Sequence, residues 1–416
     1  MKTTKNSVAT NDEKLIILIL FFVQFTHMVD FVIMMPLGPK LVRAFSLEAH
    51  QFSFVVSSYA FAAAISGLLS SFFIDNFDRK KVLLFFYTGF LVANVFCALS
   101  MNYYMLIISR ILAGGFGGVL AGLTFSIIGD IVPEIRRGRA TGTVMSAFGT
   151  ASVVGIPLGL YLADHFDWHS PFWLISILSM IVIFITFKKM PSIIGHIESR
   201  KLKKSEELQK IINLFKEPNC RRSMLLSSAY IISGFLVIPF ISQVLVRNVG
   251  LLENQLSLTY FFGGMFTLFS SRYIGVLADR FGKHRVLYIV APLSIIPIWL
   301  MTNLKVLPLS IVLIISTSFF VLISGRYVPV MSIITSSVNK KIRGSFMVIN
   351  SSLQQMSMGV ASVIAGFIIS YGSDGKIHDF DKVGYFSILM TFVLIYLSTK
   401  VKIVEEIIED KNNITN

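Results

Sequence analysis

The sequence FIDNFDRKKVLL, residues 73–84, is a short polar patch between two long apolar segments. Five of its twelve residues are charged. A related sequence, GVLADRFGKHRVLY, occupies 275–288, and Asp75 aligns there with Asp279, 204 residues later. A surface loop is the simplest interpretation of one copy, but two copies indicate that the chain repeats itself.

A second pair of sequences supports this repeat. EIRRGRATG (134–142) aligns with NKKIRGSFM (339–347), which places Gly138 and Gly344 206 residues apart. Because the two aligned pairs of residues are separated by nearly the same number of positions, the sequence predicts two similar halves. Parallel repeats of this kind are typical of transporters that work by alternating access.

The composition predicts an integral membrane protein. Of the 416 residues, 54% are hydrophobic and 14% are charged, whereas soluble domains carry about 25% charged residues. Many apolar runs approach the roughly 20 residues that a helix needs to cross a bilayer. Twelve spans are predicted, at about 15–42, 50–74, 82–100, 103–132, 140–163, 171–190, 223–246, 255–277, 286–303, 306–335, 345–370 and 384–401. The predicted fold is all-α, with twelve transmembrane helices in two pseudo-symmetric six-helix bundles.

The basic residues predict the orientation. If both termini are on one side, that side holds 28 of the 37 lysines and arginines, which is the pattern of cytoplasmic loops. We therefore expect a multi-pass protein of the cell (inner) membrane with both termini cytoplasmic. The net charge of +14 then reflects topology and contact with anionic membrane lipids, not nucleic acid.

The longest polar connection, about 191–222, divides the spans into six and six. The predicted domains are an N-terminal bundle (1–190), a cytoplasmic linker (191–222) and a C-terminal bundle with a short tail (223–416). Leu208, Ile211, Ile212 and Phe215 recur at helical spacing within the linker, which favours a short amphipathic helix on the membrane surface. A disordered linker is the alternative.

Neither an enzyme nor an ATP-driven pump is indicated. The two cysteines have no metal-ligand spacing, no nucleophile and base are arranged for catalysis, and no phosphate-binding loop occurs. We expect no catalytic residue, metal or cofactor, and a proton gradient as the energy source.

The chain resembles the major facilitator superfamily over nearly its whole length, and most closely its twelve-span proton-coupled efflux branch of drug:proton antiporters and sugar-efflux-like proteins. GVLADRFGKHR (275–285) is similar to the family's loop motif Gly-x-Leu-Ala-Asp-Arg-x-Gly-Arg-Lys/Arg. The first copy departs from it, because Ser71, Asn76 and Asp78 replace glycine, arginine and glycine. The resemblance implies a monomeric transporter of small molecules.

The loop motif predicts a cytoplasmic gate. Asp75 and Arg79 lie four residues apart and would form an ion pair if the segment were helical. The resemblance implies that Asp130, at the end of the fourth span, joins them. The matching residues of the second half are Gly275, Asp279, Arg280 and Gly282, with Arg272 two turns earlier. A solvated loop is the alternative.

Two further motifs support the resemblance. RILAGGFGG (110–118) in the fourth span is similar to the family's Arg-x-x-x-Gly-x-Gly pattern, which implies that Arg110 takes part in proton coupling; snorkelling to the interface is the alternative. GTASVVGIPLG (149–159) in the fifth span is similar to the Gly-x-Pro-x-Gly signature of antiporters and implies export. Its residues are Gly149, Gly155, Pro157 and Gly159.

The first span contains the best candidate for a proton site. Gln24, His27 and Asp30 share one helix face, and Asp30 lies near mid-membrane. Desolvation favours the neutral carboxyl, whereas a nearby cation favours the carboxylate, so such a group can load and release a proton. We expect Asp30 to be protonated, His27 to tune or relay, and Arg110 to compete for the carboxylate. A permanent ion pair, or a counter-charge for a cationic substrate, is the alternative.

The remaining candidates are residues expected to line a central cavity. Arg326 is a deep cation in the tenth span that could meet an anionic group of a substrate. The others are Phe31, Tyr59, Thr124, Phe125, Tyr230, Phe235, Phe240, Gln243, Asn350 and Gln354. The expected function is proton-coupled export of a small organic molecule such as a drug, sugar, siderophore or metabolite. Uptake by symport and a non-transporting membrane sensor are the alternatives.

Overall fold

The computed structural model describes residues 11–194, 214–339 and 342–404, apart from the side chains of Asn11 and Asp75. Almost all of this part of the chain is helical. A helix satisfies its own backbone hydrogen bonds, which is a requirement for crossing lipid.

The first half contains spans 1 to 6. Their helices are Asn11–Ile33 and Gly38–Phe45 (span 1), Ala49–Ser70 (span 2), Arg79–Ala98 (span 3), Tyr103–Ile131 (span 4), Glu134–Thr150 and Ile156–His165 (span 5), and Ser170–Lys189 (span 6). A 3-10 turn, Ile74–Asn76, precedes span 3, and a π-helical turn, Ala151–Gly155, joins the two parts of span 5.

The second half contains spans 7 to 12. Their helices are Pro218–Phe235 and Ile241–Arg247 (span 7), Glu253–Phe281 (span 8), Lys283–Thr302 (span 9), Leu309–Gly325 and Tyr327–Ser336 (span 10), Arg343–Ile368 (span 11), and Phe380–Lys400 (span 12). Span 7 includes a 3-10 turn, Ile238–Phe240.

The twelve predicted spans are confirmed. Among the described residues, eleven helices are long and apolar enough to cross a membrane, and the 26-residue helix Arg343–Ile368 occupies the twelfth predicted position. We call the end of the bundle with the 2–3, 4–5, 6–7, 8–9 and 10–11 connections the basic end, because most lysines and arginines are there. The opposite end is the far end.

The halves repeat in the breaks of their helices as well as in sequence. Span 1 is interrupted between Ile33 and Gly38, and span 7 between Phe235 and Ile241. Pro36 and Pro239 lie in these breaks, 203 residues apart. Proline cannot donate the backbone hydrogen bond of a helix interior, so each half bends its first span at the equivalent place.

Glycines allow the two halves to approach closely. A Cβ atom at Gly366 in span 11 would overlap the Ser53 side chain of span 2, and one at Gly149 in span 5 would overlap Leu268 of span 8. Spans 2 and 11, and spans 5 and 8, therefore form the contact between halves.

Two details differ from the predictions. The helix of span 7 begins at Pro218, so the C-terminal bundle starts before the predicted residue 223. The loop between spans 11 and 12 contains two strands of two residues each, β1 (Ser370–Tyr371) and β2 (Ile377–His378), which pair antiparallel and which the sequence did not predict; the all-α fold class is confirmed. The region proposed for the amphipathic helix, up to residue 213, lies outside the described residues.

Candidate functional site

A buried ion pair joins span 1 to span 4. The Arg110 Nη1 atom donates to Asp30 Oδ1 at 2.7 Å, and Nη2 lies 3.4 Å from the Asp30 carbonyl oxygen. Both side chains are at most 1% exposed. The Arg110 guanidinium also lies 4.5 Å from the centre of the Tyr59 ring, a favourable cation–π contact. Arg110 therefore does not snorkel to the interface.

The glycines of span 4 make room for this cluster. A Cβ at Gly114 would overlap the Tyr59 carbonyl oxygen, and one at Gly117 would lie 2.6 Å from Tyr59 Oη and 2.9 Å from His27 Cδ2. Close helix approach is the usual purpose of glycine in membrane helices. The motif after Arg110 thus positions Tyr59 and His27 beside the ion pair.

Several polar atoms of this cluster have no hydrogen-bond partner among the described residues. They are both ring nitrogens of His27, Tyr59 Oη, Asp30 Oδ2 and Gln24 Oε1. All four side chains are buried. Buried polar groups are usually paired, so this cluster has hydrogen-bonding capacity that a proton or a substrate can use.

The antiporter-like motif of span 5 packs against the helix that carries Asp30. Gly155 ends the π-helical turn, and a Cβ there would overlap Val29; one at Gly159 would lie 2.8 Å from Ile33 Cδ1. Pro157 follows the turn. π-helical turns are often found at functional sites, and this one packs on Val29, the residue before Asp30.

Arg326 occupies the second break of a span in the C-terminal half. It ends the helix Leu309–Gly325 and precedes Tyr327–Ser336. Its side chain is fully buried, Nη1 donates to Thr391 Oγ1 at 3.0 Å, and the guanidinium lies 5.9 Å from the Tyr230 ring centre.

Two other cavity candidates, Phe31 and Gln354, lie at contacts between helices. Phe31 lies between Tyr59 of its own half (5.3 Å between ring centres) and Phe235 of the other half (6.2 Å). Gln354 donates to Ser227 at 2.7 Å, which ties span 11 to span 7.

Two of these candidates differ in hydrogen bonding. Both amide atoms of Asn350, one turn from Gln354, are buried without a partner among the described residues. Thr124 bonds to the Leu120 carbonyl oxygen of its own helix at 2.8 Å. Asn350 is therefore the better candidate for a substrate contact. Phe125 is 38% exposed.

Ion pairs close the far end between the two halves. Lys40 lies 2.9 Å from both Asp164 and Glu253, and Arg43 lies 2.5 Å from Glu253. Lys40 therefore bridges an acid of its own half and an acid of the other half. Because Lys40 and Glu253 belong to different halves, this pair must break before the far end can open.

Phe240 and Gln243 belong to this closure and not to the cavity where the sequence placed them. Phe240 packs edge-to-face on Phe52 at 5.7 Å. Gln243 accepts a hydrogen bond from Tyr371 beside β1. The expectation that these two residues line the cavity is not met in this conformation, because the bend in span 7 moves them to the far end.

The first copy of the gate motif joins the start of span 3 to the end of span 4. Arg79 Nε donates to Asp130 Oδ2 at 2.9 Å, so the implied contact with Asp130 is present. The helical spacing assumed for Asp75 and Arg79 is absent, because a 3-10 turn ends at Asn76 and span 3 begins at Arg79. The Asp75 side chain lies outside the description.

Asp78, which replaces a glycine of the family motif, caps span 3. It accepts hydrogen bonds from Lys80 N (3.0 Å), Ser192 Oγ (2.7 Å) and Ile193 N (2.9 Å). Partial burial disfavours its charge, but these hydrogen bonds outweigh burial and lower the pKa of Asp78. Asp78 thus ties the end of span 6 to the start of span 3.

The second copy of the motif forms no latch in this conformation. Asp279 and Arg280 are exposed, and Asp279 has no ion pair among the described residues. Arg272 is also exposed. Gly275 is a helical residue of span 8, and Gly282 adopts a φ of +92° at the turn into span 9, a conformation that favours glycine.

Sequence reasoning missed the residues of the far-end closure: Lys40, Arg43, Asp164, Glu253 and Tyr371. The available signal was weak. Opposite charges stand near the ends of several spans, but no periodicity indicates which of them meet across 200 residues. Thr391, the partner of Arg326, gave no signal at all.

The chain matches known membrane transporters in sequence. The sequence model of the Major Facilitator Superfamily matches residues 20–233 and 223–407. An uncharacterized MFS-type transporter of Bacillus subtilis, YwfA, is 26% identical over 345 residues, 81% of each chain. A probable sugar efflux transporter of Helicobacter pylori (strain P12) is 24% identical over 160 residues, 38% of this chain and 40% of that protein.

Solved structures share the fold. The D-xylose-proton symporter superposes with a TM-score of 0.75 at 15% identity, covering 92% of this chain and 97% of that one. A bacterial homologue of the human lysosomal transporter Spinster, inward-facing and occupied, gives 0.75 at 13% identity, covering 95% and 97%. With two matched halves, twelve spans and this shared fold, the chain belongs to the Major Facilitator Superfamily and is a multi-pass membrane transporter.

Proposed function

We propose that this transporter exports a small organic molecule in exchange for protons, by alternating access. The observation that carries the proposal is the buried Asp30–Arg110 pair, in which one carboxylate oxygen and the neighbouring His27 ring lack partners among the described residues. Ionisable groups inside a membrane commonly mark a proton or substrate pathway. The basic end is the cytoplasmic side, and the described chain begins and ends there.

Protonation of Asp30 is the coupling step. A neutral carboxyl no longer attracts Arg110, so the contact between spans 1 and 4 weakens. Val29 packs on Gly155 and Ile33 on Gly159 of span 5, and Leu268 of the other half packs on Gly149 of span 5. A shift of span 1 is therefore passed through span 5 to the contact between halves.

The proposed direction of transport rests on one feature. The Gly155-x-Pro157-x-Gly159 stretch resembles the signature of antiporters and packs against the helix that carries Asp30. The ion pairs of Lys40 and Arg43 with Glu253 close the far end in this conformation, which exporters and importers both adopt in their cycles. The cargo class is a drug, sugar, siderophore or similar metabolite, carried by a monomer.

The test compares cargo movement with and without the proton site. Metabolomics of cells with and without the protein identifies candidate cargo, which is then offered to inverted membrane vesicles with an imposed pH gradient. Asp30→Asn should abolish uphill, pH-driven transport while exchange of cargo down its gradient persists. Asp374→Asn, in the exposed loop at the far end, is the matched control and should transport normally.

The outcomes separate the alternatives. Unimpaired uphill transport by Asp30→Asn would remove the proton role of Asp30. Uptake driven by a pH gradient of the opposite sense would identify a symporter. If no candidate moves in response to protons although the purified protein is folded, a sensor role is favoured.

A further inference from the structure

Arg326 presents two unused donors inside the membrane. Its Nη1 atom is held by Thr391, whose own hydroxyl donates to the Ser387 carbonyl oxygen at 3.0 Å. Nε and Nη2 have no hydrogen-bond partner among the described residues. A fixed guanidinium with two free donors is unusual, because buried donors are nearly always satisfied.

The charge of Arg326 is also uncompensated. No aspartate or glutamate in the described part of the chain forms an ion pair with it, whereas Arg110 in the other half is neutralised by Asp30. An isolated buried charge is costly, and arginines within spans normally face a partner or a cavity. An anion that binds and dissociates during the transport cycle would compensate this charge.

The two free donors determine the shape of that anion. Nε–H and Nη2–H lie on one edge of the planar guanidinium and point the same way. Such an edge matches the two oxygens of a carboxylate in a bidentate contact. Because Thr391 fixes the opposite side of the group, the edge is already oriented before an anion arrives.

Aromatic rings lie beside the guanidinium. The Tyr230 ring lies 5.9 Å from it, and the rings of Tyr230 and Tyr327, the residue after Arg326, lie 6.0 Å apart. On span 11, Asn350 has an unused donor and acceptor, and Gln354 ties this span to span 7 one turn from Tyr230.

We propose that Arg326 binds a carboxylate of the transported molecule, so that the cargo is an organic acid or a zwitterion with a carboxylate. The inference rests on the proposed transport function and narrows its substrate class. Proton coupling and cargo recognition then use different arginines in different halves.

Binding to the purified protein tests this inference without requiring transport. Acetate, octanoate and benzoate are titrated by calorimetry, each against its uncharged amide. At least one acid should bind more tightly than its amide. Arg326→Gln should weaken that binding roughly 10- to 100-fold, the usual effect of losing a hydrogen bond to a charged group. Arg326→Lys keeps the charge but loses the paired Nε–H and Nη2–H donors. Its affinity for the acid should lie between those of the unmodified protein and Arg326→Gln.

Two controls separate recognition from structure. Lys305→Gln, in the exposed loop between spans 9 and 10, should bind the acids as the unmodified protein does. Without ligand, Arg326→Gln should melt at the same or a higher temperature, because it removes a lone buried charge.

The inference is overturned if no acid is preferred to its amide, if Arg326→Gln binds the acids normally, or if that variant melts markedly lower. None of these results bears on Asp30. Conversely, normal pH-driven transport by Asp30→Asn would contradict the coupling proposal while acid binding at Arg326 stands.

Discussion

Asp30 and Arg110 are individually among the most costly residues to place in lipid, and they compensate each other's charge in a buried ion pair. Their side chains were recognised from the sequence because a carboxylate and an arginine are rare inside apolar spans. The sequence predicts that Arg110 competes for the Asp30 carboxylate. In the structure the two side chains form an ion pair with a 2.7 Å contact. Tyr59 over the guanidinium was expected only as a cavity residue, since a stacking contact between spans leaves no periodic signal.

A double-variant cycle measures the strength of this pair. Asp30→Asn alone leaves Arg110 buried without a counter-charge and should lower the free energy of unfolding by about 3–5 kcal/mol. Adding Arg110→Gln removes the orphaned charge, so the double variant should be more stable than Asp30→Asn. Thermal and denaturant unfolding in detergent provide the measurement. Simple additivity of the two single changes would mean that the pair contributes no coupling energy.

Asp78 shows the limit of residue-level reasoning. It stands beside Arg79, at a position where the family motif has glycine. The hydrogen bonds to Lys80, Ser192 and Ile193 make it a helix cap. The segment around Ser192 is 114 residues away in the chain, so its contact could not be inferred from motif spacing.

At the scale of elements, the sequence predicted each span but not its shape. Length and apolar composition identify eleven of the spans, and the helix Arg343–Ile368 occupies the predicted position of the remaining one. The breaks in spans 1, 7 and 10 and the π-helical turn in span 5 depend on how one helix packs on another. Pro36 and Pro239 were visible signals for the first two breaks, whereas nothing in the sequence marked Arg326 as the residue of the third.

Two adjacent glycines of span 4 allow a matched test of helix packing. A Cβ at Gly114 would overlap the Tyr59 carbonyl oxygen, whereas one at Gly115 meets nothing within 4 Å. Gly114→Ala should therefore force spans 2 and 4 apart, destabilise the protein by about 1–3 kcal/mol and impair transport. Gly115→Ala should change neither. Equal thermal midpoints for the two variants would contradict the close approach described here.

At the scale of the whole molecule, the two halves are held together differently at their two ends. Ion pairs of Lys40 and Arg43 with Glu253 cross between halves at the far end. At the basic end, the Arg79–Asp130 pair stays within one half, and Asp279 is exposed. The repeat made two equivalent gates predictable, but sequence cannot state which conformation a transporter adopts.

Loss of the far-end ion pair should shift the protein toward the conformation that is open there. A reporter cysteine, Ser242→Cys, is introduced at a buried position of span 7 near the far end. It is combined with Lys40→Met and, as a control, with Lys305→Met. A membrane-impermeant maleimide added from the far side should label the Lys40→Met protein faster. Unchanged labelling would mean that the ion pair does not hold the gate.

The uncompensated guanidinium of Arg326 has an electrical consequence. Moving one elementary charge across the full membrane potential is worth about 2.3 kcal/mol per 100 mV. An empty carrier with a positive centre is therefore drawn by an inside-negative voltage toward the state that faces the cytoplasm. A carboxylate bound to Arg326 cancels its charge. The membrane potential therefore has little effect on the conformational change that carries cargo outward. The returning carrier, with Arg326 unneutralised and Asp30 protonated, is pulled back by the membrane potential as well as by the proton gradient.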